Sequence, residues 1–143
     1  FKEIISRLNA CLPRGIQVFD VTEPVMKAGK IAFAEFSIKL NCENTNTTVI
    51  AEKLSSFLVL DKIEIEKKSK KGLKTVDIKQ GIKSYKIEEK FDFVLLNVVL
   101  SAGSSDNVNP NLLVSAFENY STLNVESDIT RIDLYNSEME LFR

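Results

Sequence analysis

Five lysines fall within eight positions of this chain, Lys67, Lys68, Lys70, Lys71 and Lys74, and Lys79 follows closely. Flexible ammonium groups at such density can track a phosphate backbone, because a point charge neutralises phosphate without demanding a fixed fork geometry. The same lysines could equally do no more than solubilise an exposed hairpin and prevent edge-to-edge strand pairing. No arginine or aromatic residue interrupts the run, so base-specific readout or base stacking has no support there. A second group is the loop Ser101-Ala102-Gly103-Ser104-Ser105-Asp106-Asn107, set before a helix start where unpaired backbone N–H groups favour anions. Ser101, Gly103, Ser104 and Asn107 are its candidate anion or ligand contacts, although Asp106 opposes an anion and a plain capped turn would use the same residues. A third group, Arg131, Asp133 and Tyr135, alternates with Ile132 and Leu134, so all three are expected on one face of a closing strand. Together with Asp77 they are candidates for contact with a partner.

What is missing narrows the chemistry further. Histidine is absent, which removes the commonest general base, the commonest transition-metal ligand and every Ser-His or Cys-His nucleophile pair. The two cysteines, Cys11 and Cys42, are too few for an all-cysteine iron–sulfur cluster and read as small buried hydrophobes rather than a disulfide. No metal site or cofactor is expected, and no catalytic residue can be named. Net charge is −1, yet 61–90 holds ten lysines against six acids while 101–143 holds two arginines against seven. Attraction of the whole molecule to nucleic acid is therefore not expected, whereas a local basic patch is allowed.

The elements that must position these groups follow from periodicity. A chain of 143 residues with 44% hydrophobic and 27% charged residues is the size and composition of one globular domain. No apolar run approaches the roughly 20 residues of a membrane span, and no leader pattern opens the sequence, so the cytoplasm is the expected location. Phe1, Ile4, Ile5, Leu8 and Leu12 follow helical spacing with no cap before them, and an upstream segment is expected. A strand is predicted at 16–21. Alternation at Ala34, Phe36, Ile38 and Leu40 predicts a second, and Ile50, Leu54, Phe57 and Leu58 predict a helix over 47–58. Ile63 and Ile65, a turn at Lys70-Lys71-Gly72, then Val76 and Ile78 predict a basic hairpin over 62–74. Residues 91–100 are apolar at nearly every position, as in a central strand covered on both faces. Asn109-Pro110 caps a helix over 110–120, and Ile132 and Leu134 mark the closing strand.

Residues 31–40, 47–58, 61–67, 91–100, 110–120 and 129–135 thus read as β-α-β-β-α-β. The fold class expected is α+β: a ferredoxin-like sheet with an inserted basic β-hairpin and an extra amino-terminal helix and strand. The chain reads as a single domain, with 31–143 as the core and 1–30 as elements that could belong to a preceding subdomain.

Three phrases resemble the radical-SAM-linked protein family, a bacterial group of unknown function found beside, or fused to, radical SAM enzymes. They are Leu8-Asn9-Ala10 with Leu12-Pro13, Gly15-Ile16 and Val18; Lys70-Lys71-Gly72 with Val76-Asp77-Ile78 and Ile82; and Ser101-Ala102-Gly103-Ser104 with Asn107 and Pro110. The chain closes similarly, at Thr130-Arg131 and Tyr135. It departs at Gln80-Gly81, where that family usually carries a basic residue and proline. The resemblance implies a longer protein with a further amino-terminal half, and an association with radical SAM chemistry on RNA. A radical SAM enzyme is then a partner, since this chain lacks the three closely spaced cysteines its cluster would need. Three functions stay open: an accessory module that binds RNA or the enzyme; half of a ligand or enzyme site using Asp77, Ser104 and Asn107; and a structural, oligomerising domain.

Overall fold

The computed structural model describes residues 1–69 and 72–143, so Lys70 and Lys71 lie outside the described residues. Its helices form where caps and apolar stripes coincide. Asn46 accepts a hydrogen bond from the Val49 amide (2.9 Å) and opens α2 (Thr47–Leu58), which buries Ile50, Leu54, Phe57 and Leu58. Asn109 accepts from the Asn111 amide (2.9 Å) and Pro110 fills the first turn of α3 (Pro110–Ser121), which buries Leu113, Val114, Ala116 and Phe117. That helix ends where Thr122 turns into the left-handed region (φ 60°), and the Lys53 ammonium bonds the carbonyl of Ser121 (3.1 Å).

The two helices pack on one face of a four-stranded antiparallel sheet. Its strands are β1 (Phe33–Asn41), β4 (Ile82–Glu89), β5 (Val94–Ser101) and β6 (Glu126–Tyr135), in the order β4-β5-β1-β6. Read through α2 and α3, this is the ferredoxin-like β-α-β-β-α-β arrangement with β1 and β5 inside. The helix side of the sheet is built by Ile38 and Leu40 from β1 and by Val94, Leu96, Val98 and Leu100 from β5, with Phe57 and Phe117 in ring contact above them. The β2 (Glu64–Ser69) and β3 (Gly72–Asp77) strands pair only with each other, as a separate ribbon between α2 and β4.

Four expectations need correction. The second strand of the main sheet is 82–89 rather than 61–67; the latter belongs to the ribbon. Helices do not cover both faces of β5: Leu95 and Asn97 point away from the helices and are half-buried by their neighbours across the strands. Residues 16–21 form no strand. The Asn9 side chain substitutes for a strand partner there, donating to the Val18 carbonyl (2.8 Å) and accepting from the Val18 amide (2.7 Å). The helix expected at the start is present as α1 (Lys2–Cys11), but none of its residues is buried. Phe1, Ile4, Leu8, Ile16, Phe19 and Val25 are all exposed, and Cys11 is exposed rather than buried; it and Cys42 are free thiols. The segment joins the body through the Val25 and Met26 amides, both bonded to the carbonyl of Arg143 (3.2 and 2.8 Å). No helix among the described residues is long and apolar enough to cross a membrane.

Candidate functional site

The ribbon is anchored in the core at its base. Ile63, Ile65 and Ile78 are buried in the core, and Val76 packs against it. Asp77 closes the base: one carboxylate oxygen accepts from the Ile63 and Lys79 amides (both 2.9 Å), while the Ile78 amide bonds the Ile63 carbonyl (2.8 Å). These two backbone donors, and then the nearby Lys62 and Lys79, hold the Asp77 carboxyl below the ordinary aspartate value against a smaller opposing effect of burial. Lys79 is occupied elsewhere, its ammonium donating to the Leu58 carbonyl at the end of α2.

Beyond Ile65 and Val76 the ribbon becomes basic. Antiparallel register sets Lys67 directly opposite Lys74, on the same ribbon face as Ile65 and Val76, and sets Lys68 opposite Leu73 on the other. All three lysines are exposed, and among the described residues none has an ion-pair partner. The arrangement therefore presents cations on both faces of the ribbon.

The 101–107 loop lies at the end of the main sheet. Ala102 donates to the Ala32 carbonyl (2.8 Å) and Val108 donates to the Ser101 carbonyl (2.9 Å), pinning the loop to the residues that lead into β1. A concavity of about 280 Å³ opens between the 29–33 segment and this loop; Ser101, Gly103 and Ser104 line it, with Ser105, Asp106 and Phe33. Asn107, paired across the loop with Ala102, is not part of that lining, and neither is Asp77. Of Ser104, Asn107 and Asp77, only Ser104 lines this cavity.

The expected common face for Arg131, Asp133 and Tyr135 is broken by a β-bulge. Glu35 pairs with Asp133 but the next residue, Phe36, pairs with Arg131, so Ile132 is an extra residue and the alternation resets. Arg131 consequently turns to the helix side at the sheet edge, while Asp133 and Tyr135 remain on the open side beside Glu35 and Phe33. The Tyr135 hydroxyl donates to the Glu35 carboxylate (2.7 Å), which raises the tyrosine above its ordinary value.

Sequence reasoning passed over two groups on the open face. The ammonium of Lys83 lies 5.6 Å from the centre of the Phe33 ring, and that of Lys39 lies 5.5 Å from the centre of Phe93. Lys83 occupies a second bulge, between Ile82 and Ser84 in the β4–β5 register. Cross-strand lysine–aromatic pairs leave no local spacing signal, so only the sheet register could have revealed them. Among the described residues no group of acidic or cysteine side chains could hold a metal ion.

Together these features define a ferredoxin-like α+β domain with one open sheet face and a projecting basic ribbon. The chain belongs to a bacterial family, DUF2344, described as an uncharacterized protein conserved in bacteria, whose model matches residues 1–110. Comparison with curated proteins and with solved structures finds no match.

Proposed function

We propose that this chain is a cytoplasmic accessory module that binds RNA through its basic ribbon and works beside a radical SAM enzyme. The observation that carries the RNA reading is the direct cross-strand pairing of Lys67 with Lys74, with no ion-pair partner for either among the described residues. Like charges in that position oppose strand pairing by roughly 0.2–1 kcal/mol. A phosphodiester between them removes the repulsion. Lys68 on the opposite face adds a third cation, and the lack of arginine and aromatic side chains in the ribbon suits tolerant contact with a backbone rather than with bases. The radical SAM partner rests on the resemblance of the Leu8-Asn9-Ala10, Val76-Asp77-Ile78 and Ser101-Ala102-Gly103-Ser104 phrases to radical-SAM-linked proteins.

Titration with structured and single-stranded RNA at two salt concentrations tests the first part. Binding is expected to weaken with salt, by about 0.7 in log affinity per log salt for each phosphate neutralised on a single strand. Replacing both Lys67 and Lys74 with alanine should reduce that slope by about two such contacts. Undetectable binding at low salt removes the reading. Co-purification of the protein with a radical SAM enzyme from the same cells tests the second part.

A second reading, an association module, is favoured by α1, whose Phe1, Ile4 and Leu8 side chains are exposed along one stripe. A concentration-dependent mass in solution that returns to the monomer value on Ile4→Glu would support it over RNA binding.

A further inference from the structure

The concavity beside the 101–107 loop combines features that the basic ribbon lacks. Ser101 and Phe33 are direct partners in the β1–β5 register, so the serine hydroxyl and the aromatic ring share the open side of the sheet. Ser101 is only 6% exposed, and its hydroxyl has no hydrogen-bond partner among the described residues. Since no fully enclosed polar side-chain atom among the described residues is left unpaired, that hydroxyl must reach solvent, and the cavity Ser101 lines supplies an opening. The amides of Ser104 and Ser105, two further lining residues, likewise bond no group among the described residues. Ile31, Ala32 and Phe33 supply an apolar part of the wall, and Asp106 is its charged member. Lys83, which has no carboxylate partner among the described residues, rests over the Phe33 ring.

We propose that this cavity binds one unstacked nucleotide, its base against Phe33, its hydroxyls and base edge toward Ser101 and the Ser104–Ser105 amides, and its phosphate toward Lys83. An aromatic face accepts any base, hydroxyls and amides satisfy sugar and base polar groups, and a neighbouring ammonium takes the phosphate. A volume of about 280 Å³ lies at the small end of ligand sites, which suits a single small ligand. Asp106 at the cavity excludes a bare anion as the natural occupant, because a carboxylate repels phosphate but accepts from ribose hydroxyls or base N–H groups. The inference deepens the RNA reading: the ribbon would hold backbone while the cavity takes a single residue of the strand.

The test uses the whole chain and free 5′-guanosine and 5′-uridine monophosphates, followed by amide chemical shifts. Saturable shifts are expected at 31–33 and 101–106, with none in β2 or β3. Phe33→Ala should weaken binding about tenfold, within the range of one base–aromatic stack. Lys83→Gln, at an exposed bulge where folding is not at stake, should weaken the monophosphates while leaving guanosine and uridine unchanged. Ser101→Ala should weaken both series. Equal shifts with inorganic phosphate, no saturation at millimolar nucleotide, or Lys83→Gln acting on nucleosides and nucleotides alike would each overturn the proposal. If mononucleotides saturate the cavity and RNA does not bind, the RNA reading falls and the cavity stands. If RNA binds through Lys67 and Lys74 while Phe33→Ala and Lys83→Gln leave both ligands unaffected, the cavity falls and the RNA reading stands.

Discussion

The four-stranded sheet and the β2–β3 ribbon are both antiparallel, yet they obtain their order from different sources. In the sheet, alternate residues of β1 and β5 are sealed under α2 and α3, so side-chain burial fixes the register. In the ribbon only the base is buried, at Ile63, Ile65 and Ile78; from Lys67 outward the pairing rests on backbone bonds and carries a lysine–lysine repulsion. Stability therefore belongs to the sheet, while the ribbon is a lever attached to it. Opening of β2–β3 should cost less than global unfolding, a difference that native-state hydrogen exchange reads residue by residue.

The largest way to break this contrast is to remove the seal. Phe117 is almost fully buried, with its ring centre 5.6 Å from that of Phe57. Phe117→Ala should cost about 3–5 kcal/mol in denaturant unfolding, and the sheet and ribbon should then lose protection together. A loss confined to α3 would mean that the helices do not act as one layer.

A smaller effect is expected where the ribbon returns to the sheet. Gly81 is buried, and a β-carbon there would stand 2.3 Å from a methyl group of Val108, a buried β-branched side chain with little room to rotate. Gly81→Ala should cost about 1–3 kcal/mol by overpacking and should disturb the 101–108 loop together with the ribbon base. An unchanged melting temperature would show that Val108 gives way freely.

Asp77 separates the two regions more sharply. Loss of its carboxylate in Asp77→Ala releases two backbone donors and should cost about 1–2 kcal/mol, felt mainly as faster exchange across β2 and β3. The pH dependence has a fixed sign. The folded carboxyl titrates below its unfolded value of about 3.9, so its contribution is complete above that pH and is lost as pH falls toward and through the lower folded value. Ribbon exchange in the native protein should accelerate over that acid window, and in Asp77→Asn the same window should be flat.

The helices, the central strands and the ribbon base were legible because each carries its own local signal. Asn46 and Asn109 cap helices whose apolar residues recur every three or four positions, and Ile63, Ile65, Val76 and Ile78 alternate. What escaped depends on contacts distant in sequence. Strand β4 offers only Ile82 and Ile87 as half-buried apolar positions, because it is an edge strand and the bulge at Lys83 shifts its alternation. The bulge at Ile132 likewise moved Arg131 to the opposite face from Asp133 and Tyr135, which no reading of single-strand periodicity could foresee. Residues 16–21 carry a strand-like pattern without a strand because Asn9 already satisfies the Val18 backbone. The nearly all-apolar 91–100 implied cover on both faces, but a central strand whose second face is half-shielded by Glu35, Ser37, Lys86 and Glu88 across the ladder needs no second layer of helices.

The smallest expected change in stability discriminates most finely between the two regions. Lys74→Glu would place a carboxylate directly opposite Lys67, turning a repelling pair into an attracting one and stabilising the ribbon by roughly 0.2–1 kcal/mol. Exchange in β2 and β3 should slow, whereas the sheet, whose order comes from burial, should be unaffected. If the lysines serve a phosphate backbone, the same substitution must weaken RNA binding even as it strengthens the fold that presents it. If they only guard an exposed edge, RNA affinity will not follow the charge. A ribbon that becomes more stable and a poorer RNA ligand at once is the outcome that an edge-guarding role could not produce, because that role links the lysines to solubility and not to any bound anion.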